Sequence, residues 1–204
     1  MRGGKAFILS NNHVLANENR AKRGDAVLQA ARYDGGKAPA DVVAKLRFWV
    51  RLKVKGTNVV DAALAEIDEA VQYDATLLKG IVNGADRQLV GLGPDFVDEG
   101  ETVCKVGRTT GPTEGKVTAF EMDNVIVSYD VGNLRFDGQI ELEGAGDQAF
   151  SDGGDSGALI MNSKMQAVAL LFAGGEMGGA NGLGLTYANP IEPVMKELKT
   201  NLWA

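Results

Sequence analysis

Two residue types that carry much of enzymatic and metal chemistry are almost missing from this chain of 204 residues, which has one cysteine, Cys104, and one histidine, His13. A lone cysteine excludes an intrachain disulfide and fits a reducing compartment. Within Thr102-Val103-Cys104-Lys105-Val106 it reads as a small buried hydrophobe. One Cys and one His cannot build a zinc site from soft ligands, so no metal and no other cofactor is expected. Any chemistry that needs an imidazole must use His13. No apolar run approaches the roughly 18 residues of a membrane span, so no membrane partner is expected. No basic run extends past Lys22-Arg23, and a net charge of -6 repels phosphate backbones, which argues against nucleic acid as a partner. The start, Met1-Arg2-Gly3-Gly4-Lys5, lacks the shape of a signal peptide. These features point to a cytoplasmic location, provided that no native residues precede Met1. They leave homo-oligomerisation open.

What the chain has in excess is glycine, 27 residues, interleaved with short apolar runs, a pattern of turns and strands. Ala6–Ser10 reads as a strand ending in the polar turn Asn11-Asn12. Residues 17–40 read as a long loop with a short strand near Ala26-Val27-Leu28, and Lys45–Val54 reads as a strand. Seven further strand-like runs follow from Thr102 onward: Thr102–Val106, Gly115–Phe120, Asn124–Tyr129, Gln139–Leu142, Ala158–Met161, Gln166–Phe172 and Leu183–Tyr187. Their spacing and Gly/Asp punctuation suggest an antiparallel barrel. Asn189-Pro190 opens a final helix with Val194, Leu198 and Leu202 on one face. Residues 72–102, with Gly91-Leu92-Gly93-Pro94, read as a link. The division drawn is 1–85, carrying His13 and Asp61, and 86–204, carrying Ser156 and the terminal helix.

The chemistry is carried by Gly153-Gly154-Asp155-Ser156-Gly157. A serine hydroxyl needs a base to take its proton and donors to hold the oxyanion it creates. The backbone N–H groups of Gly154 and Ser156 are the candidate oxyanion donors, since glycine leaves the turn unobstructed. His13, just after a strand and turn, is the candidate base. The third member is a carboxylate in apolar company, and Asp61 in Val59-Val60-Asp61-Ala62-Ala63-Leu64 fits. Burial of that charge is explained by an imidazole partner. The alanine content of 61–71 also fits a helix with Asp61 as its N-cap. The order His, Asp, Ser, with gaps of 48 and 95 residues, suits His and Asp on one barrel and Ser on a second.

Ser10-Asn11-Asn12-His13-Val14-Leu15, Val60-Asp61-Ala62-Ala63-Leu64 and Gly154-Asp155-Ser156-Gly157 resemble the three signature blocks of trypsin-like serine proteases. Cys104 to Gly111 resembles a strand-turn of bacterial chymotrypsin-like proteases. With Leu170-Leu171-Phe172-Ala173-Gly174 and Ala188-Asn189-Pro190-Ile191, the chain is similar to a bacterial group related to the plant NARROW LEAF 1 protein. The resemblance implies an all-β fold, a chymotrypsin-like double antiparallel β-barrel with a C-terminal helix. It implies a peptide or protein substrate lying against Phe172-Ala173-Gly174, with Phe150 at the pocket base and Asp152 at its rim. It implies a partner for Asp155, for which Lys105 and Arg108 are the candidates. The short lead before His13 suggests an incomplete or truncated first barrel. The activity expected is that of a serine endopeptidase. The alternatives are a non-enzymatic binding module on the same fold and an esterase with the same triad.

Overall fold

Backbone pairing places the N-terminal strands so that distant residues meet at one end of a sheet. The structure, a computed structural model, describes residues 4–202. Strands β1 (Phe7–Ser10), β2 (Ala26–Leu28), β3 (Val42–Trp49) and β5 (Ala63–Ile67) form an antiparallel sheet in the order β1-β5-β3-β2. Ser10 pairs with Ala63 and Phe7 with Glu66, so the chain leaves β1 toward His13 beside the place where it enters β5 from Asp61. Alanine's helix preference in 62–65 is overridden because both faces of β5 are covered. Ala62, Ala63 and Ala65 are fully buried, and small side chains suit a strand packed on two sides. The expected strand Lys45–Val54 starts and ends earlier, at Val42 and Trp49. Past Trp49 the backbone at Leu52 and Lys53 is bonded by the side chains of Asn19 and Asn58 instead of a ladder partner.

The link read in 72–102 holds structure of its own. A hairpin, β6 (Leu77–Val82) and β7 (Ala85–Gln88), is followed by a two-residue strand, β8 (Gly91–Leu92). The C-terminal barrel comprises β9 (Thr102–Gly107), β10 (Gly111–Met122), β13 (Gln139–Gly144), β14 (Leu159–Asn162), β15 (Gln166–Gly174) and β16 (Leu185–Pro190). These six strands run in the order β14-β9-β10-β13-β16-β15, and pairing of β14 with β15 closes the ring. The protein is therefore all-β on a double antiparallel barrel plan, with a helix at its C-terminal end. Strand β9 is buried on both faces: Val103 belongs to the barrel interior, whereas Cys104 faces the layer shared with the N-terminal sheet and the C-terminal helix. That burial pushes the Cys104 thiol up to about 11, which leaves it a poor nucleophile.

Between β10 and β13 the chain forms a ribbon, β11 (Val125–Tyr129) and β12 (Gly132–Phe136), extended by β4 (Thr57–Asn58) of the N-terminal half. The short β12 was not expected from sequence; its two buried residues, Leu134 and Phe136, alternate with polar ones over too short a run to stand out. A helical turn, α1 (Asn12–Leu15), carries His13, and α2 (Ile191–Leu198) packs Ile191, Val194, Met195 and Leu198 on the shared core. Leu202 does not extend the α2 face. Lys199 turns left-handed at φ 50° and ends the helix, and Leu202 packs on the same core from outside it.

Candidate active site

The His13 turn is fastened from below by two buried asparagines. Asn11 donates to the Asp61 carbonyl at 2.8 Å, and Asn12 donates to the Val50 carbonyl at 2.7 Å and to Asn19 at 2.8 Å. His13 Nδ1 lies 2.6 Å from Asp61 Oδ2, and the His13 backbone N–H donates to Oδ1 at 3.2 Å. The Asp61 side chain is fully buried. Its backbone N–H donates at 2.9 Å to Asn189 Oδ1 on β16, and Asn189 in turn donates to Gln139 at 2.6 Å. A third donor to the carboxylate is the Tyr129 hydroxyl, 2.8 Å from Oδ2. An ionised carboxylate with three donors is stable away from water, and one with none is not.

Ser156 reaches the same region through a close approach that only glycine allows. Gly157 has φ +88°, and a Cβ there would sit 2.1 Å from Ser10 Oγ, at the end of the strand that leads to His13. The Ser156 hydroxyl and His13 Nε2 make no hydrogen bond among the described residues, so the base and nucleophile are not joined in this conformation. Such bonds are often open until substrate arrives. In the turn before Ser156, Asp155 N–H donates to the Asp152 carbonyl, while Gly154 N–H and Ser156 N–H have no acceptor among the described residues. Gly154 sits at φ +100°.

Asp155 anchors that turn from beneath. Its carboxylate accepts from Thr109 N–H at 2.7 Å and the Thr110 hydroxyl at 2.7 Å, and it pairs with Lys105 Nζ at 3.1 Å. Both charged side chains are fully buried. Burial alone would push the Asp155 carboxyl upward, but the Thr110 and Thr109 bonds and the Lys105 charge outweigh it and hold it below the usual carboxylate range. Arg108 is not the partner of Asp155. Its guanidinium bonds Asp34 and lies 5.2 Å over the Tyr33 ring, on a loop outside the turn. Arg108 follows β9 in the turn to β10, and its guanidinium lies half-exposed beside Gly154, whereas the Lys105 side chain is fully buried.

A pocket of about 410 Å³ opens beside Ser156, lined among others by Ser151, Asp152, Ala173, Gly174 and Glu176. Phe150 is not its base. That ring is 1% exposed and packs inside the barrel, with Lys105 Nζ 5.6 Å from its centroid. Neighbouring Ser151 faces the pocket instead and bonds Thr186 at 2.6 Å. Phe172 is likewise turned away, its ring 4.7 Å from that of Phe136. Tyr129 escaped the sequence reading because no spacing ties it to the other site residues: it lies 68 residues from Asp61.

No family model matches the chain, and no curated protein matches it. Solved structures do. The chain resembles a chymotrypsin of Cellulomonas bogoriensis at 20% identity and TM-score 0.61, over 96% of this chain and 84% of that one. It resembles Nocardiopsis protease at 18% identity and TM-score 0.66, over 100% and 88%. A glutamic acid specific serine protease matches at 18% identity and TM-score 0.66, over 100% and 89%. At these identities the likeness establishes the chymotrypsin-like fold.

Proposed function

We propose that the protein is a serine endopeptidase working through an acyl-enzyme. The observation that carries this reading is the pairing of the chain's single histidine with a fully buried carboxylate at 2.6 Å, on the side where Ser156 emerges. With Asp61 accepting at Nδ1–H, the imidazole presents a lone pair at Nε2. His13 takes the proton of Ser156 as its oxygen attacks the scissile carbonyl, and the N–H groups of Gly154 and Ser156 receive the oxyanion. The imidazolium then protonates the leaving amine. Water, deprotonated by the same imidazole, releases the acid and restores Ser156. Lys105 and Asp155 keep the oxyanion turn in place without touching substrate.

The pocket lining includes two carboxylates, Asp152 and Glu176, and no cationic residue. Like charges repel at such a site, so acidic side chains are disfavoured there. The glutamic acid specific relative uses a histidine triad in substrate binding; this chain has one histidine, and Asp61 engages it. The closer kinship to the group related to the plant NARROW LEAF 1 protein rests on the sequence blocks alone.

Incubation with denatured casein tests the reading. New peptide N-termini should appear with the wild-type protein and with no added metal. Turnover of p-nitrophenyl acetate without casein cleavage would favour the esterase reading. Absence of both, in a folded sample, would favour a binding module.

A further inference from the structure

We propose that Tyr129 is a positioning residue of this site, whose hydroxyl holds the Asp61 carboxylate in the orientation that aligns His13. The proposal rests on the serine-peptidase reading. Tyr129 donates to Asp61 Oδ2 at 2.8 Å, the same oxygen that receives His13 Nδ1 at 2.6 Å. Its ring also meets the imidazole edge-on, with centroids 5.7 Å apart and planes at 71°. One residue thus touches both members of the pair, from a ribbon belonging to the other half of the chain.

The ribbon tip that carries Tyr129 is itself held by the loop that follows His13. Both carboxylate oxygens of Glu18 accept from the tip, from Asp130 N–H at 3.0 Å and Val131 N–H at 3.0 Å. Arg20 bridges Glu18 at 3.0 Å and Asp130 at 2.9 Å. Asn17, Glu18 and Asn19 occupy the left-handed region in succession, at φ 47°, 54° and 70°. Such a run costs backbone energy and persists only where surrounding contacts determine it. Here it aims Glu18 at the ribbon while Asn19 locks the His13 turn through Asn12, with N–H to Oδ1 at 3.0 Å. A single strained loop therefore sets the His13 turn and the Tyr129 tip relative to each other.

The hydroxyl, and not merely the ring, is what this site uses. Packing against Phe136, 6.1 Å away between centroids, would be served equally by phenylalanine. Burial, with the Asp61 charge added, raises the Tyr129 phenol well above its ordinary range, so it remains protonated and can only donate to the carboxylate. The titratable and charged groups around this cluster are Asp61, His13 and Glu18, with Arg20 and Asp130 beside Glu18 at the ribbon tip.

Tyr129→Phe keeps the ring and removes the donor. With p-nitrophenyl acetate, kcat should fall about 10- to 100-fold with KM changed less than about 2-fold, as expected when a supporting hydrogen bond is lost. With its charge less compensated, Asp61 should move the acid limb of the pH–rate profile to higher pH. The downfield Nδ1–H proton signal of the chain's only histidine should shift or broaden. Glu18→Gln, which loosens the ribbon tip, should change all three in the same direction by less. A folded Tyr129→Phe with wild-type kcat, pH profile and histidine signal overturns the proposal and leaves the peptidase reading intact. If the wild type turns over neither ester nor casein, the peptidase reading fails, and the histidine signal still decides whether the Tyr129 hydroxyl orders the pair.

Discussion

Asp61→Asn is expected to lower ester and peptide turnover by about 10⁴ while leaving the fold and KM nearly unchanged. The carboxylate receives donors at both oxygens: His13 N–H at Oδ1, and His13 Nδ1 and the Tyr129 hydroxyl at Oδ2. An amide can present its oxygen at only one of these positions. With the oxygen kept toward the His13 backbone N–H, the NH₂ group faces Nδ1. The imidazole then takes the tautomer that carries its proton on Nε2, which cannot accept from Ser156. Tyr129 can rotate its hydroxyl to accept instead, so stability should change little. Steady-state rates with p-nitrophenyl acetate, beside a thermal melt, check this. A variant within about 10-fold of wild type would remove Asp61 from the proposed role.

The second large effect is on stability. Lys105→Met is expected to destabilise the fold by about 3–5 kcal/mol, because it leaves Asp155 charged and buried without its counter-ion. For a chain of this size that is a fall in Tm on the order of 10 °C. The pH dependence has a definite sign. Asp155 is held below its ordinary range, so the stability it contributes is present above the ordinary carboxylate pKa, and it is lost as pH falls through the lower folded value. Removing Lys105 removes one of the influences that oppose burial. Acid unfolding of the variant should therefore begin at higher pH than in wild type. Melts at several pH values check both statements. An unchanged Tm at neutral pH would mean that the hydrogen bonds from Thr109 and Thr110 alone sustain the buried charge.

The barrel strands were legible as short apolar runs closed by glycine or aspartate, alternating in Gln139–Leu142 and continuous in Gln166–Phe172, where both faces are buried. Their observed ends differ by a few residues because pairing, not composition, sets them. Residues 61–71 were ambiguous because alanine serves a helix and a doubly covered strand equally well, and only the packing of Ala63 and Ala65 decides. His13 stood out because it is the single histidine, and Asp61 because a lone acid sits in an apolar run. Phe150 and Phe172 illustrate the converse. Position relative to Ser156 said nothing of which way either side chain turns, and their size sends both rings into the core while small Ser151 and Ala173 face the pocket. Tyr129 and Glu18 left no signal at all, since their relation to Asp61 and to the ribbon exists only after both halves have folded.

The most direct test is the mass of the intact protein after exposure to a fluorophosphonate, with His13→Ala and Ser156→Ala treated alongside. One adduct on the wild type, located at Ser156 and absent from both variants, is the expected result. A folded wild-type protein that takes up no label, or an adduct that persists in Ser156→Ala, would contradict an activated serine at this site.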